Sequence, residues 1–455
     1  MHVSSEKLQN GFKAGYLCLV KTNLTMNRTI IISIMLATMQ TAMAQMTLND
    51  CLIYARDHAH KNIINSLATD KARIDSRISA SALMPSIGLS ADGNISFGRN
   101  IDPETNTYDN KKTLYTGFGL NMSIPLFDGL VSINNLKAAR TRRRRMEKSA
   151  EAEADIVSIE VIKSFYNVSF CKAMVAQIEE QLARDRKTMM ATERGEQLGT
   201  KSGADVAEIR AILANDEYEL TNQRNLLAKA YLQLRGAMGM EISTEPLDLV
   251  ETEYEAEPVA GFIHPRLEEA LMAVKESRYN LRAAKGAFSP RISLSAGAST
   301  SYYKMIGDHF PAPGFSRQLR DNMGQYIGLS VSIPLFTGLA TANKVKRAGI
   351  ELATCRTQLE QTRYDIERQK TEARLDYRAS AEEFVSAQAR LDAEQLAYNA
   401  IRRKFELGSA SAIDLYTSGA KLASARAALE GKRINRIICR ITLGYYLGEK
   451  LIHEK

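Results

Sequence analysis

The sequence is poor in the residue types that carry chemistry. Its 455 residues include five cysteines and six histidines. Beyond the N-terminal stretch, Cys51, Cys171, Cys355 and Cys439 remain. None has C-x-x-C spacing, so neither a disulfide framework nor a thiolate metal site is expected. His58-x-His60 is a close histidine pair with no third ligand near it, which is too little for a metal centre. There is no nucleophile elbow, no phosphate loop and no paired acid–base set. Catalysis and a bound cofactor are therefore not expected. Lys7, Lys13, Lys21 and Arg28 against Glu6 account for +3 of the formal net charge of +8, leaving +5 for all that follows. That excess is mild, and no basic strip interleaved with aromatics accompanies it, so nucleic acid is not an expected partner. Proline is missing from two long stretches, 126–245 and everything after Pro334. Long unbroken helices can lie only there.

An internal duplication is what the sequence does have. Ser123-Ile124-Pro125-Leu126-Phe127-Asp128-Gly129-Leu130 recurs as Ser332-Ile333-Pro334-Leu335-Phe336-Thr337-Gly338-Leu339, an offset of 209. Under the same offset Gly119-Leu120 meets Gly328-Leu329, Leu198-Gly199 meets Leu407-Gly408, and Asp205 meets Asp414. Upstream, Pro85-x-Ile87-x-Leu89-x-Ala91 meets Pro290-x-Ile292-x-Leu294-x-Ala296 at an offset of 205, which places an indel in an intervening loop. The chain thus divides into a first repeat, 45–239, and a second, 263–449. Residues 240–262 join them and 450–455 form a tail. From Glu241 to Glu257 the join carries seven acids and no Lys or Arg, and reads as a solvated linker or lateral segment. Residues 1–44 read as a signal peptide region with Met26 as the expected start. Asn27-Arg28 precede an apolar run, and Ala42-Met43-Ala44 gives small-x-small cleavage.

Each repeat has the same order of periods. A helix is expected from Thr47, with Asp50 as its capping partner, to about Ala82. Alternation follows, with Ile87, Leu89, Ala91, Ile95 and Phe97 on one face. After a polar loop, Gly98 to Lys112, a return strand places Leu114, Phe118, Leu120, Met122, Ile124 and Leu126 opposite Tyr115, Gly117, Gly119, Asn121 and Ser123. The second repeat alternates from Ile292 to Ala298, crosses a loop of about twenty residues, and alternates again from Ile327 to Leu335. Each strand should be about 10–12 residues, long enough to cross a bilayer when tilted. Pro85, Pro125, Pro290 and Pro334 mark the joins of strand and helix. Beyond Val131 the period becomes helical as far as Leu198, roughly 100 Å at 1.5 Å per residue. A return helix begins near Asp205, with Val206, Leu213, Leu220, Leu227 and Leu234 at sevens, matched by Leu415, Leu422, Leu429, Arg436 and Leu443. Sevens imply coiled-coil packing. The apolar strand faces have no partner in the chain, and lipid suits them. In lipid a sheet must close, which four strands cannot do, so the chain must oligomerise.

With the two Ser-Ile-Pro-Leu-Phe-x-Gly turns, the Leu-Gly tips followed by Asp205 and Asp414, and the duplication itself, the chain from about 47 to 449 resembles the outer membrane efflux protein family of TolC-like exit ducts. The resemblance implies a fold that is mainly α with a small transmembrane β part. Long coiled-coil helical hairpins and four strands per chain would build a homotrimer with a twelve-stranded β-barrel in outer membrane lipid and a periplasmic α-barrel. It implies a passive channel of a tripartite efflux pump or a type I secretion system, meeting a periplasmic adaptor (membrane fusion) protein and an inner-membrane pump. Leu198, Gly199, Thr200, Leu407, Gly408 and Ser409 would dock the adaptor. Asp205 and Asp414 would form the pore constriction, or, on the plainer reading, cap the returning helices. The sequence departs from the family at three places. The acid expected one turn after Asp414 is Thr417, and the latch positions are Phe405 and Ala410. The basic run of Arg140 and Arg142 to Arg145 reads as a solvated helix face. A periplasmic coiled-coil scaffold or adaptor without a membrane span is the competing reading, and it leaves the four apolar strand faces unexplained.

Overall fold

The computed structural model describes residues 45–101, 106–110, 112–252, 262–306 and 313–452. The expected signal peptide, 1–44, lies outside the described residues. Two long helical hairpins project from one four-stranded sheet. The first repeat runs β1 (Met46–Thr47), α1 (Leu48–His58), α2 (His60–Ser81), β2 (Ser86–Ser96), β3 (Arg99–Ile101), β4 (Tyr108–Asn110), β5 (Lys112–Phe127), α3 (Val131–Gln197) and α4 (Gly203–Met238). The second runs β6 (Leu249–Val250), α5 (Pro265–Gly286), β7 (Arg291–Ile306), α6 (Phe315–Asp321), β8 (Gly324–Ser332), α7 (Ala340–Glu406) and α8 (Ala412–Leu447). Both α3 and α7 are 67 residues long, about 100 Å at 1.5 Å per residue.

The sheet order is β2-β5-β7-β8, antiparallel throughout, with β2 and β8 at the edges. Its register carries the apolar residues into rows. Ile87 lies opposite Met122, Met122 opposite Ala296, and Ala296 opposite Ile327. The alternate rows are polar or small, as in Ser86–Ser123–Ser295–Gly328. Phe315 of α6 packs on Phe118 at one end of the apolar rows, but among the described residues much of them stays open: Leu89 is 80% exposed and Ile327 81%.

Several expected boundaries move. The strands are 11, 16, 16 and 9 residues, not 10–12. The polar loop from Gly98 contains the β3–β4 ribbon. Much of the supposed twenty-residue loop is the upper half of β7 plus α6. Both are held by Gln318, whose Oε1 accepts from the Tyr303 N–H while its Nε2 donates to the Tyr303 carbonyl, each at 2.9 Å. A bulge at Leu126 slips the alternation by one, so Phe127, not Leu126, stands opposite Ile292.

The helix expected from Thr47 to Ala82 is two helices. Thr47 and Asp50 form the capping box. At Ala59, however, the backbone turns extended (ψ 126°). Asn62 explains why no proline or glycine was needed. Its Nδ2 donates to the carbonyls of Arg56 (3.3 Å) and Ala55 (3.0 Å), the second of which also keeps its bond from the Ala59 N–H, so a side chain supplies hydrogen bonds where the helix breaks. The break lets α1 turn into the main core, where Cys51, Leu52, Val161, Phe165, Leu234, Met238 and Tyr445 are buried together.

The acidic join is not merely solvated. Leu247 is buried in that core, β6 pairs in parallel with β1, and Glu251 bridges Arg433 at 3.1 Å. Residues 253–261 lie outside the described residues. The basic run is likewise only partly solvated. Arg140, Arg142 and Arg144 are exposed, but Arg145 reaches Glu276 of α5 at 2.9 Å, and nearby Lys148 reaches Glu268 at 2.7 Å. The run therefore helps fasten α5 to α3.

Pro85 and Pro290 directly precede β2 and β7, Pro125 sits inside β5 near its end, and Pro334 follows β8. At the strand-to-helix turns both residues of the Gly-Leu pair are left-handed: φ is 72° and 62° at Gly129 and Leu130, 60° and 65° at Gly338 and Leu339. This geometry accounts for the repetition of the octapeptide. At Gly129 a Cβ would also lie 2.1 Å from the Gly286 carbonyl oxygen, so the turn and the end of α5 approach backbone to backbone.

Candidate functional site at the hairpin tips

Two tips, α3–α4 and α7–α8, hold the residues singled out for docking and for the pore. Each outgoing helix ends identically. Gly199 and Gly408, both at φ 73°, donate to the carbonyls of Glu196 (2.9 Å) and Phe405 (3.0 Å). The next N–H, of Thr200 or Ser409, donates to Gly195 or Lys404 at 2.8 Å. This is the Schellman pair of bonds, and it needs a left-handed residue at the glycine. The hydroxyls of Thr200 (2.9 Å) and Ser409 (3.1 Å) donate to the same carbonyls a second time. Glycine and hydroxyl are thus explained by helix termination. Leu198 and Leu407 are not: they are 72% and 77% exposed and the cap does not use them.

Each return helix starts with a capping box. The N-caps are Ser202 and Ser411, not the aspartates, which stand three residues on. Asp205 accepts from the Ser202 N–H and hydroxyl, both at 2.9 Å. Asp414 accepts from the Ser411 N–H at 3.0 Å and hydroxyl at 2.7 Å. These bonds hold both carboxyls below the ordinary value of 3.8, chiefly through the backbone N–H at Asp205 and through the hydroxyl at Asp414. Both are therefore charged at neutral pH. Each aspartate bonds within its own tip.

Contact between the tips comes from Lys201, which the sequence reading left without a role, and from Phe405, which it placed at a latch position of the family. The Lys201 ammonium lies 5.1 Å from the Phe405 ring centroid. Phe405 packs on Met189, Val206 and Ile209 of the first hairpin. The signals for it were an aromatic residue shortly before a capping glycine and its place at a latch position of the family. Among the described residues no group of three or more His, Cys, Asp or Glu could hold a metal ion. No described helix is long and apolar enough to cross a membrane, which says nothing about strands.

The sequence pattern of the outer membrane efflux protein family matches residues 66–240 and 263–449, both repeats. The chain belongs to that family. The outer membrane efflux protein BepC of Brucella suis is 23% identical over 77% of this chain and 74% of its own. TolC of Escherichia coli is 21% identical over 81% and 75%. Among solved structures, the CmeC channel of Campylobacter jejuni superposes with a TM-score of 0.76 at 15% identity, covering 90% of this chain and 87% of its own. VceC of Vibrio cholerae superposes at 0.74 and 16%, covering 89% and 96%. This family member is thus an outer membrane efflux channel, with helical hairpins extending from its strands.

Proposed function

We propose that three copies of this chain assemble into a passive exit duct, with the β-strands in outer membrane lipid and the hairpins in the periplasm. The carrying observation is the sheet. It is open at both edges, β2 and β8, and exposes rows of apolar side chains. An open sheet cannot sit in hydrocarbon, because its edge N–H and C=O groups would be unpaired. About eight strands are the fewest that close, and twelve leave room for a channel. The helices support the same reading. α3 is covered by α2, α4 and α5 and buries Val157, Val161, Phe165 and Val168. Its repeat mate α7 leaves Ile350, Tyr364, Leu375 and Leu396 exposed. α2 leaves Ile64, Leu67 and Ile78 exposed. By repeat symmetry, α2 of the next copy covers α7 as α5 covers α3.

The charged capping aspartates, three copies each, ring the periplasmic mouth and favour cations. Leu198 and Leu407, exposed beside them, seat the helical hairpin of a periplasmic adaptor that leads to an inner-membrane pump. The division into repeats 45–239 and 263–449, with a lateral segment at 240–262, and a leader at 1–44 belong to the same reading. Native mass spectrometry of the detergent-extracted protein tests the assembly: a trimer supports it, a stable monomer ends it. Photo-crosslinkers placed at Leu198 and Leu407 should capture an adaptor of helical-hairpin type, and probes at Tyr218 should not.

A further inference from the structure

The four helices that adjoin the sheet share a feature that neither the tips nor the strand faces use. α2 and α5 end at the sheet, and α3 and α7 start from it. The sixteen residues of each that lie nearest the sheet are 66–81, 271–286, 131–146 and 340–355. Together these segments carry sixteen Lys and Arg and four Asp and Glu. Their net charge is therefore +12, more than the +8 of the whole chain, so all other residues together come to −4. The positive charge of the protein is gathered in one band beside the strands, at the opposite end of the helices from the tip aspartates.

Little of this charge is neutralised within the chain. Arg73 pairs with Asp70 at 2.9 Å, Arg143 with Glu147 at 3.2 Å and Arg145 with Glu276 at 2.9 Å. Arg140, Arg142, Lys285, Lys344, Lys346 and Arg347 are exposed and bond no carboxylate among the described residues. Their heights follow from the helix rise of 1.5 Å per residue. Lys285 lies about 2 Å from the end of α5, Lys344 and Arg347 about 6 and 10 Å from the start of α7, and Arg140 about 14 Å from the start of α3. The polar layer of a bilayer is roughly 5–8 Å thick on each side of the hydrocarbon. The nearer cations thus stand at headgroup height, and the farther ones lie within about one Debye length, roughly 10 Å at 0.1 M salt, of that layer. On the sheet side of the band, Phe127, Phe288, Leu335 and Phe336 are exposed in the last strand residue and the connecting turns. An apolar fringe backed by unpaired cations is the order of groups that meets hydrocarbon first and charged headgroups next.

We propose that this band is a collar that gathers anionic phospholipid headgroups of the periplasmic leaflet around the duct. The collar rests on the reading that places the strands in lipid, because that reading brings the helix ends to the membrane surface. Each Lys or Arg close to an anionic surface strengthens the attraction about fivefold. The collar also fixes the depth of the barrel. Moving it toward the outer leaflet would draw unpaired cations into hydrocarbon, and moving it the other way would pull them off their headgroups.

The test reconstitutes the full-length protein in phosphatidylcholine vesicles that carry a trace of spin-labelled phosphatidylglycerol or spin-labelled phosphatidylcholine. The immobilised fraction of each label reads its affinity for the protein surface. At about 0.1 M salt the wild type should hold phosphatidylglycerol at least about threefold over phosphatidylcholine, and the preference should approach unity at about 1 M. Replacing the exposed Lys285, Lys344, Lys346 and Arg347 together by Gln should lower the preference at least about twofold. Arg140→Gln with Arg142→Gln serves as the second variant should the first fail to fold. A wild type without preference overturns the collar, as does a preference that both variants keep in full. So does a variant that keeps its lipid preference but shifts the reversal potential of the channel, because its cations then face the lumen. A salt wash tests the span separately. Protein that prefers phosphatidylglycerol yet washes off the vesicles at about 1 M salt would sink the duct reading and leave the collar standing.

Discussion

At the scale of single residues, the tip aspartates do two things with one carboxylate. Each completes a capping box and, in the proposed duct, each leaves a charge at the mouth. Replacing both with Asn keeps an acceptor for the Ser202 and Ser411 N–H groups, so helical content should persist. Cation selectivity should drop, read as a smaller reversal potential under a salt gradient; coincident potentials would make the aspartates caps only. The sign of the pH dependence follows from the depressed carboxyls. Their charge is present above the ordinary 3.8 and is lost only as pH falls through lower, folded-state values. Selectivity should therefore survive mild acid. Asp155 behaves in the opposite way. Burial raises it to about 7, against the hydrogen bond from Tyr445. A raised acid costs nothing below its unfolded value near 3.8 and destabilises increasingly as pH climbs to about 7. Asp155→Asn should thus melt at the wild-type temperature near pH 4 and above it at pH 8. The gain is at most about 4 kcal/mol for a shift of this size. A gap that shrinks as pH rises would contradict the assignment.

At the scale of elements, the strand facing can be tested by charge. Leu120 lies in the apolar row between Leu89 and Ala298, and Val331 lies opposite Ile292. Arg at either position should cost about 2–4 kcal/mol near the bilayer midplane and block insertion. Arg at Ser330, in the adjoining polar row beside Ser293, should be tolerated. Heat-modifiable migration in membrane fractions would show it; equal defects at both sets would mean the faces are reversed. The strand-to-helix turn offers a second test. Gly129→Ala places a methyl 2.1 Å from the Gly286 carbonyl oxygen and requires φ 72° of a residue with a Cβ. It should lower yield sharply, while Gly236→Ala, with open space, should be neutral or better.

At the scale of the whole molecule, the duplication makes the missing interface predictable in detail. β5 pairs β7 with Met122 opposite Ala296. The repeat carries Met122 to Val331 and Ala296 to Ala91. In the assembly, β8 of one copy should therefore pair with β2 of the next, Val331 opposite Ala91. The double variant Ala91→Cys, Val331→Cys should crosslink into a covalent species of three times the monomer mass. The double variant Ala91→Cys, Leu329→Cys should crosslink poorly, because those positions are two residues out of register. Efficient crosslinking in the second variant instead would refute a β8–β2 contact copied from β5–β7.

The sequence by itself determined what depends on near neighbours. Alternation set the strands, sevens and missing prolines set the long hairpins, Thr47-x-x-Asp50 set a cap, and the doubled octapeptide set the two-repeat plan. Each is a matter of period or of residues three or four apart. Tertiary structure decided what depends on residues far apart in the chain. The break at Ala59 exists because α1 must enter the core, and only Asn62 hints at it. β6 pairs with β1 across some two hundred residues of intervening chain, which turns an acidic linker into packed structure. Gly129 is fixed by Gly286 and Arg145 by Glu276. Gln181 and Asp216 meet only because a hairpin folds two helices back on each other at one particular register. In the sequence, each of the two is simply a polar residue on a helix among many.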